Sequence, residues 1–124
     1  YIAELRGIVE QVRGSNRDGF GRTAELLDLA ISDVEESTDW LLARLADGGM
    51  NETLAGATPY LRQFGIAAGG CYLAKSALAD EAAGRTAVAR FFAENFASEC
   101  AALKQTVIGG GDSLLAAGEL LKVG

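Results

Sequence analysis

Apolar residues recur at helical spacing along most of the chain and divide it into segments. Ile2, Leu5, Ile8, Val9 and Val12 stand three and four apart, which puts them on one face of a helix over residues 2–12. Gly14-Ser15-Asn16 interrupts that pattern, and Ser15 with Asp18 three residues on has the form of a capping box for the next helix. The second helix is predicted over 18–46, burying Phe20, Ala24, Leu27, Ile31, Val34, Leu41, Leu42 and Leu45, and Asp47-Gly48-Gly49 ends it. Asp33, Glu35, Glu36 and Asp39 fall mostly off this stripe and read as a solvated face.

Residues 50–58 carry only a weak pattern. Thr58-Pro59 then reads as a helix start, with Thr as N-cap and Pro at the first helical position, where its missing N–H costs nothing. The third helix is predicted from there to Ala79, with Leu61, Phe64, Ala68, Cys71, Tyr72 and Leu78 inward. Gly65, Gly69 and Gly70 thin that helix and would let another backbone approach closely. A short connection over 80–84 makes the fourth helix, 85–108, an antiparallel neighbour carrying Val88, Phe91, Phe92, Phe96, Cys100, Leu103 and Val107. Gly109-Gly110-Gly111 is expected to close it, with Asp112 or Ser113 capping a last short helix through Leu121. The expected fold is all-α, an up-and-down four-helix bundle with a short C-terminal helix, and 1–124 reads as one bundle domain. Because it opens on Tyr1 and closes on Val123-Gly124, the sequence reads as a fragment of a longer chain.

Composition narrows the function classes. Proline occurs once and no β-branched run alternates, which argues against a sheet. A net charge of −6 offers no footprint for nucleic acid or an anionic membrane, and no apolar stretch reaches the roughly 18 residues of a membrane span. A cytoplasmic protein is expected. Cys71 and Cys100 form no CxxC pair and have no basic neighbour in sequence, so both read as buried thiols rather than redox groups.

The chain contains no histidine, which removes Ser-His and Cys-His nucleophile pairs and the Glu-x-x-His motif of di-iron bundles. Gly19-Phe20-Gly21-Arg22-Thr23-Ala24 matches the letters of a dinucleotide fingerprint, but the polar, turn-rich stretch before it supplies no strand. Glu94 and Glu99 stand five apart and do not pair as acid and base. No catalytic, cofactor-binding or metal-binding residue is assigned on the sequence. Phe91 and Phe92 read first as core, yet neighbours on a helix diverge by about 100°, so one of them is available to a partner domain.

The run Ala57-Thr58-Pro59-Tyr60-Leu61-Arg62-Gln63-Phe64-Gly65, then Gly69 to Ala79, then Ala89-Arg90-Phe91-Phe92-Ala93-Glu94, resembles the helical C-terminal extension of the large acyl-CoA dehydrogenases. Thr38-Asp39-Trp40-Leu41-Leu42 and the stretch 103–114 fit the same pattern, so the resemblance covers about Phe20 to Leu114. It implies a parent chain that oxidises the Cα–Cβ bond of an acyl-CoA with FAD and passes electrons to an electron-transfer flavoprotein. It also implies that catalysis belongs to an upstream core, and that this piece is a packing and assembly element for the core or a homo-oligomer, inactive alone and binding no FAD itself. The glycine-rich face of the third helix is the surface expected to serve that role. The alternative expectation is a free-standing helical module that offers an apolar groove to a partner.

Overall fold

The computed structural model describes residues 1–81 and 83–123, with the side chains of 111–116, 122 and 123 outside the description. Five α-helices account for almost all of it: α1 (Ile2–Gly14), α2 (Thr23–Ala46), α3 (Met50–Ala79), α4 (Ala83–Asn95) and α5 (Glu99–Val123). A single 3₁₀ turn, Asp18–Phe20, precedes α2, and no strand occurs among the described residues.

Side-chain contacts fix the directions. Thr38 meets Tyr60, and Leu41 lies against Gly56, so α2 and α3 run antiparallel. Gln63 meets Cys100 and Gly56 lies against Val107, so α5 also runs antiparallel to α3, and Phe92 of α4 lies against Gly70 in the same sense. Tyr1 stacks on Phe64, while Arg17, just past α1, reaches the carbonyls of Ala77 and Leu78; α1 therefore runs parallel to α3. The result is the up-and-down four-helix bundle expected, with α4 and α5 forming the fourth strut in two pieces.

Three boundaries differ from the sequence reading. α2 begins at Thr23, because Gly21 sits at φ +53°, a conformation that costs L residues, and breaks the helix between the 3₁₀ turn and α2. Ser15 closes α1 instead of opening α2: its hydroxyl donates to the Val12 carbonyl at 2.7 Å. α3 begins at Met50, with Pro59 inside it rather than at its start. Proline inside a helix costs about 3 kcal/mol, but Gly56 sits directly under Leu41 and Val107, and this packing holds the first turns in place.

The predicted fourth helix is broken near 96–98. The Asn95 side-chain amide donates to the Phe91 carbonyl at 2.9 Å, a local competition that ends helices, and the next turn is tightened by bonds from Glu99 to Phe96 and from Cys100 to Ala97. The glycine run does not stop α5. Gly109 and Gly110 keep negative φ, and the last helical stretch continues α5 instead of starting anew after a cap.

The core also differs in which face it uses. Leu5, Ile8, Val9, Val12, Phe20, Leu27, Ile31 and Val34 are buried as expected. On α3 and α4, however, the interior is built from Ala67, Gly70, Cys71, Ala74, Ala77, Ala89 and Ala93, with Gln63 and Thr86 among them. Leu42, Leu45, Leu61, Tyr72, Val88, Phe91 and Phe96, all expected inward, are exposed. Small residues win the interior because they let the axes come close: a Cβ on Gly70 would lie 2.7 Å from Leu27 and 3.1 Å from Phe92. Gly70 leaves just enough room for the Leu27 and Phe92 side chains, and any larger residue there would collide with them.

Candidate interaction surface

Several polar side chains hold helices together. Arg6 on α1 bonds Asp28 at 2.8 Å, Ser32 at 3.3 Å and Glu35 at 3.2 Å, all on α2. Lys104 on α5 bridges Asp33 at 3.1 Å and Glu36 at 3.0 Å, and those two carboxylates, Glu36 first, hold its ammonium above the usual lysine range. The acidic positions of α2 lie off the core as expected, with Glu36 and Asp39 exposed and Glu35 half-exposed, but Asp33, Glu35 and Glu36 also tie α2 to α1 and α5. Glu94 pairs with Arg90 at 2.7 Å, and Glu99 lies 3.6 Å from Arg62, so these carboxylates are apart and occupied.

Arg17 caps a helix. Its guanidinium donates to the carbonyls of Ala77 at 2.7 Å and Leu78 at 3.1 Å, placing a cation at the negative end of α3. At the outer edge of α1 and α3, Tyr1 donates to the Tyr72 hydroxyl at 3.2 Å, and Tyr72 donates to Glu4 at 3.1 Å. The bond from Tyr1 is the largest reason the Tyr72 hydroxyl is held above its ordinary range, followed by desolvation and Glu4.

The two thiols are buried and free. Burial pushes Cys71 up to about 11 and Cys100 up to about 12, the latter helped by Asp33 and Glu99, so both are neutral and poor nucleophiles at neutral pH. Among the described residues no group of three or more Cys, Asp or Glu is placed to hold a metal, and no helix is long and apolar enough to cross a membrane.

The flavin implied by the resemblance has one segment to test, the run from Gly19 to Ala24. The N–H groups of Phe20 and Gly21 already donate to the carbonyls of Arg17 and Asp18, and the Thr23 hydroxyl donates to the Phe20 carbonyl. The Arg90 guanidinium lies over Gly21, within 2.8 Å of where a Cβ would stand, and is itself held by Glu94. With no strand before it, the Phe20 and Gly21 donors used and the Arg90 guanidinium over Gly21, this segment does not fit a dinucleotide pyrophosphate.

What the bundle does present is apolar surface. Phe91 is 59% exposed on α4, with Val88 one turn before it and Phe96 stacked edge-on at a 6.1 Å centroid distance. Phe91 also lines an open groove of about 530 Å³ together with Gly19, Ala83, Thr86 and Ala87 and the charged residues Arg17, Glu81, Arg90 and Glu94. Its neighbour Phe92 turns inward over Gly70, so the divergence of the two rings is realised. The glycine-rich face expected on α3 is divided: Gly70 is filled by Leu27 and Phe92 from within, while Gly65 and Gly69 face open space. The signal for the true surface was available, since Ala89, Ala93 and Ala97 form an i, i+4 stripe that claims the interior of this segment and leaves Phe91 and Val88 outside.

The family model described as acetyl-CoA dehydrogenase C-terminal like matches residues 1–118. No curated protein and no solved structure matches the chain.

Proposed function

Because the chain belongs to the acetyl-CoA dehydrogenase C-terminal-like family, we propose that it is the C-terminal assembly domain of an FAD-dependent acyl-CoA dehydrogenase, one folding unit over residues 1–124 of a longer chain. FAD, held in the catalytic core upstream, accepts the two electrons removed when the Cα–Cβ bond of an acyl-CoA is oxidised, and an electron-transfer flavoprotein takes them on. This domain supplies no reacting group and holds no cofactor. Its carboxylates neutralise Arg6, Arg90 and Lys104, and its role is to brace the core, in the cytoplasm.

The observation that carries this reading is the inverted packing of α4. Alanines face the bundle while Val88, Phe91 and Phe96 face out, and burying such side chains against another surface is worth roughly 1.5–3 kcal/mol each. We assign that face to the dehydrogenase core of the same chain, which in this reading is the nearest large surface. The same exposed rings also suit a free-standing interaction module with a separate partner.

Purifying the native gene product through an antibody against this domain separates the two. A long chain carrying flavin absorbance supports the dehydrogenase reading, and a short colourless one leaves the interaction module.

A further inference from the structure

The groove that holds α1 is longer than α1. On α2, Arg6 reaches Asp28, Ser32 and Glu35, which stand three and four apart and make one stripe along that helix. On α3, the Tyr1 ring stacks on Phe64, and Tyr1 and Glu4 engage Tyr72. Helical spacing carries both walls past the end of α1. Leu42 stands about two turns after Glu35, and Leu45 about two turns after Thr38, which itself meets Tyr60 of α3. Leu61 and Leu54 lie about three and five turns before Tyr72 and so share its face, and Met50 stands one turn before Leu54. All five of these apolar side chains are exposed, because α1 runs parallel to α3 and begins only at the level of Phe64.

The uncovered length repeats the chemistry of the covered one. α1 lays Leu5, Ile8, Val9 and Val12 into the bundle and sends Arg6 to the carboxylates of α2. Beyond it the walls are again aliphatic, and Asp39 stands one turn past Glu35 on the same stripe, exposed and with no ion pair among the described residues. From Phe64 back to Met50 the groove runs about 21 Å, the length of about fourteen helical residues. Tyr1 makes no side-chain bond to the first turn of α1, so no local cap closes that end.

We propose that the stretch of the parent chain leading into Tyr1 is an upstream continuation of α1, about four helical turns that fill this groove. It rests on the reading above that residues precede this domain in a longer chain. Direction selects this occupant over a separate partner: a helix prolonged backwards along the α1 axis runs over Leu42, Leu45, Leu54 and Leu61, and continues an interface that α1 already makes. The segment carries the inward apolar stripe of Ile2, Leu5 and Val9 upstream, and places an arginine or lysine about two turns ahead of Arg6, where Asp39 receives it.

The test is thiol alkylation at about pH 8 of two chains, the 124-residue chain and one that begins about fourteen native residues further upstream. Each carries Leu45→Cys, Leu54→Cys or Phe91→Cys, and the native Cys71 and Cys100 stay silent because they are buried. The first two variants react freely in the 124-residue chain and about tenfold more slowly in the extended one, while Phe91→Cys reacts freely in both. Adding Asp39→Lys to the extended chain speeds the first two again. Equal reactivity of positions 45 and 54 in the two chains overturns the proposal, as does protection that Asp39→Lys leaves intact. The full native gene product keeps this outcome apart from the dehydrogenase reading. A flavin-bearing product in which positions 45 and 54 stay reactive overturns the upstream helix alone, and a colourless product that opens at Tyr1 overturns both.

Discussion

Gln63 and Cys100 hold each other across the interior: the Gln63 amide donates to the Cys100 carbonyl at 2.9 Å, and the Cys100 thiol donates back to the Gln63 carbonyl at 3.5 Å. Gln63 is fully buried, and its side-chain oxygen has no hydrogen-bond partner. An unpartnered buried acceptor offsets part of what the donated bond contributes. Gln63→Ala, which loses the bond and leaves a void, is expected to destabilise the chain by about 2–3 kcal/mol. Gln63→Met keeps the volume and removes the unpartnered oxygen, and is expected to cost about 1 kcal/mol or less. Urea denaturation of both variants checks the order.

The glycines divide into two classes with opposite signs. At Gly109 nothing lies within 4 Å of where a Cβ would stand, and at Gly110 only Thr106 does, at 3.8 Å. Both are helical, so alanine at either is expected to stabilise by about 0.5–1 kcal/mol. Alanine at Gly56 meets Leu41 at 3.1 Å and the Val107 carbonyl at 3.3 Å, and is expected to destabilise by about 1–3 kcal/mol. Thermal unfolding of the three variants reads the sign directly.

These glycines also show what the sequence could and could not disclose. α1 and the first half of α2 were legible because Leu5, Val9, Leu27 and Ile31 are both large and periodic, so size and spacing pointed to one face. On α3 and α4 the two signals disagreed. The large residues made one stripe and the small ones, Ala67, Gly70, Ala74, Ala77 and then Ala89, Ala93, Ala97, made another, and close axial packing selected the small. The start of α3 was hidden because Pro59 is a strong local stop, while what overrules it, Leu41 and Val107 against Gly56, is a contact between distant segments. The apolar exterior followed from the same inversion: once the small stripe faces in, Leu61 at 69% exposure and Phe91 must face out.

Arg17 acts as a fork on the C-terminus of α3, and only a planar guanidinium reaches the Ala77 and Leu78 carbonyls together. Arg17→Lys keeps the charge but loses one of those bonds, and is expected to cost about 1–2 kcal/mol. Hydrogen exchange of the last turn of α3 should speed up in the variant more than exchange in α2.

The thiols give a pH dependence. Both are raised in the fold above the ordinary value of 9.0, so below pH 9 they are protonated folded or unfolded and stability does not depend on them. As pH rises from 9 toward 11–12 the unfolded chain releases protons that the folded chain retains, and stability falls. Cys100→Ala should flatten that alkaline fall, and native thiols should resist alkylation at about pH 8, where both remain protonated, until urea is added.

Phe91 is predicted to matter to attachment and not to folding. Phe91→Ser on the exposed face of α4 should change the unfolding free energy by no more than about 0.5 kcal/mol. In the parent chain the same substitution should loosen this domain from its neighbour, seen as faster proteolytic release of an intact bundle.

The central claim, that this bundle terminates a flavin-dependent acyl-CoA dehydrogenase, is tested most directly by adding acyl-CoA anaerobically to the purified native gene product and following its flavin absorbance. The account predicts a long chain whose flavin bleaches as the thioester is oxidised. A product without flavin, or one whose flavin spectrum is indifferent to every acyl-CoA, would contradict it.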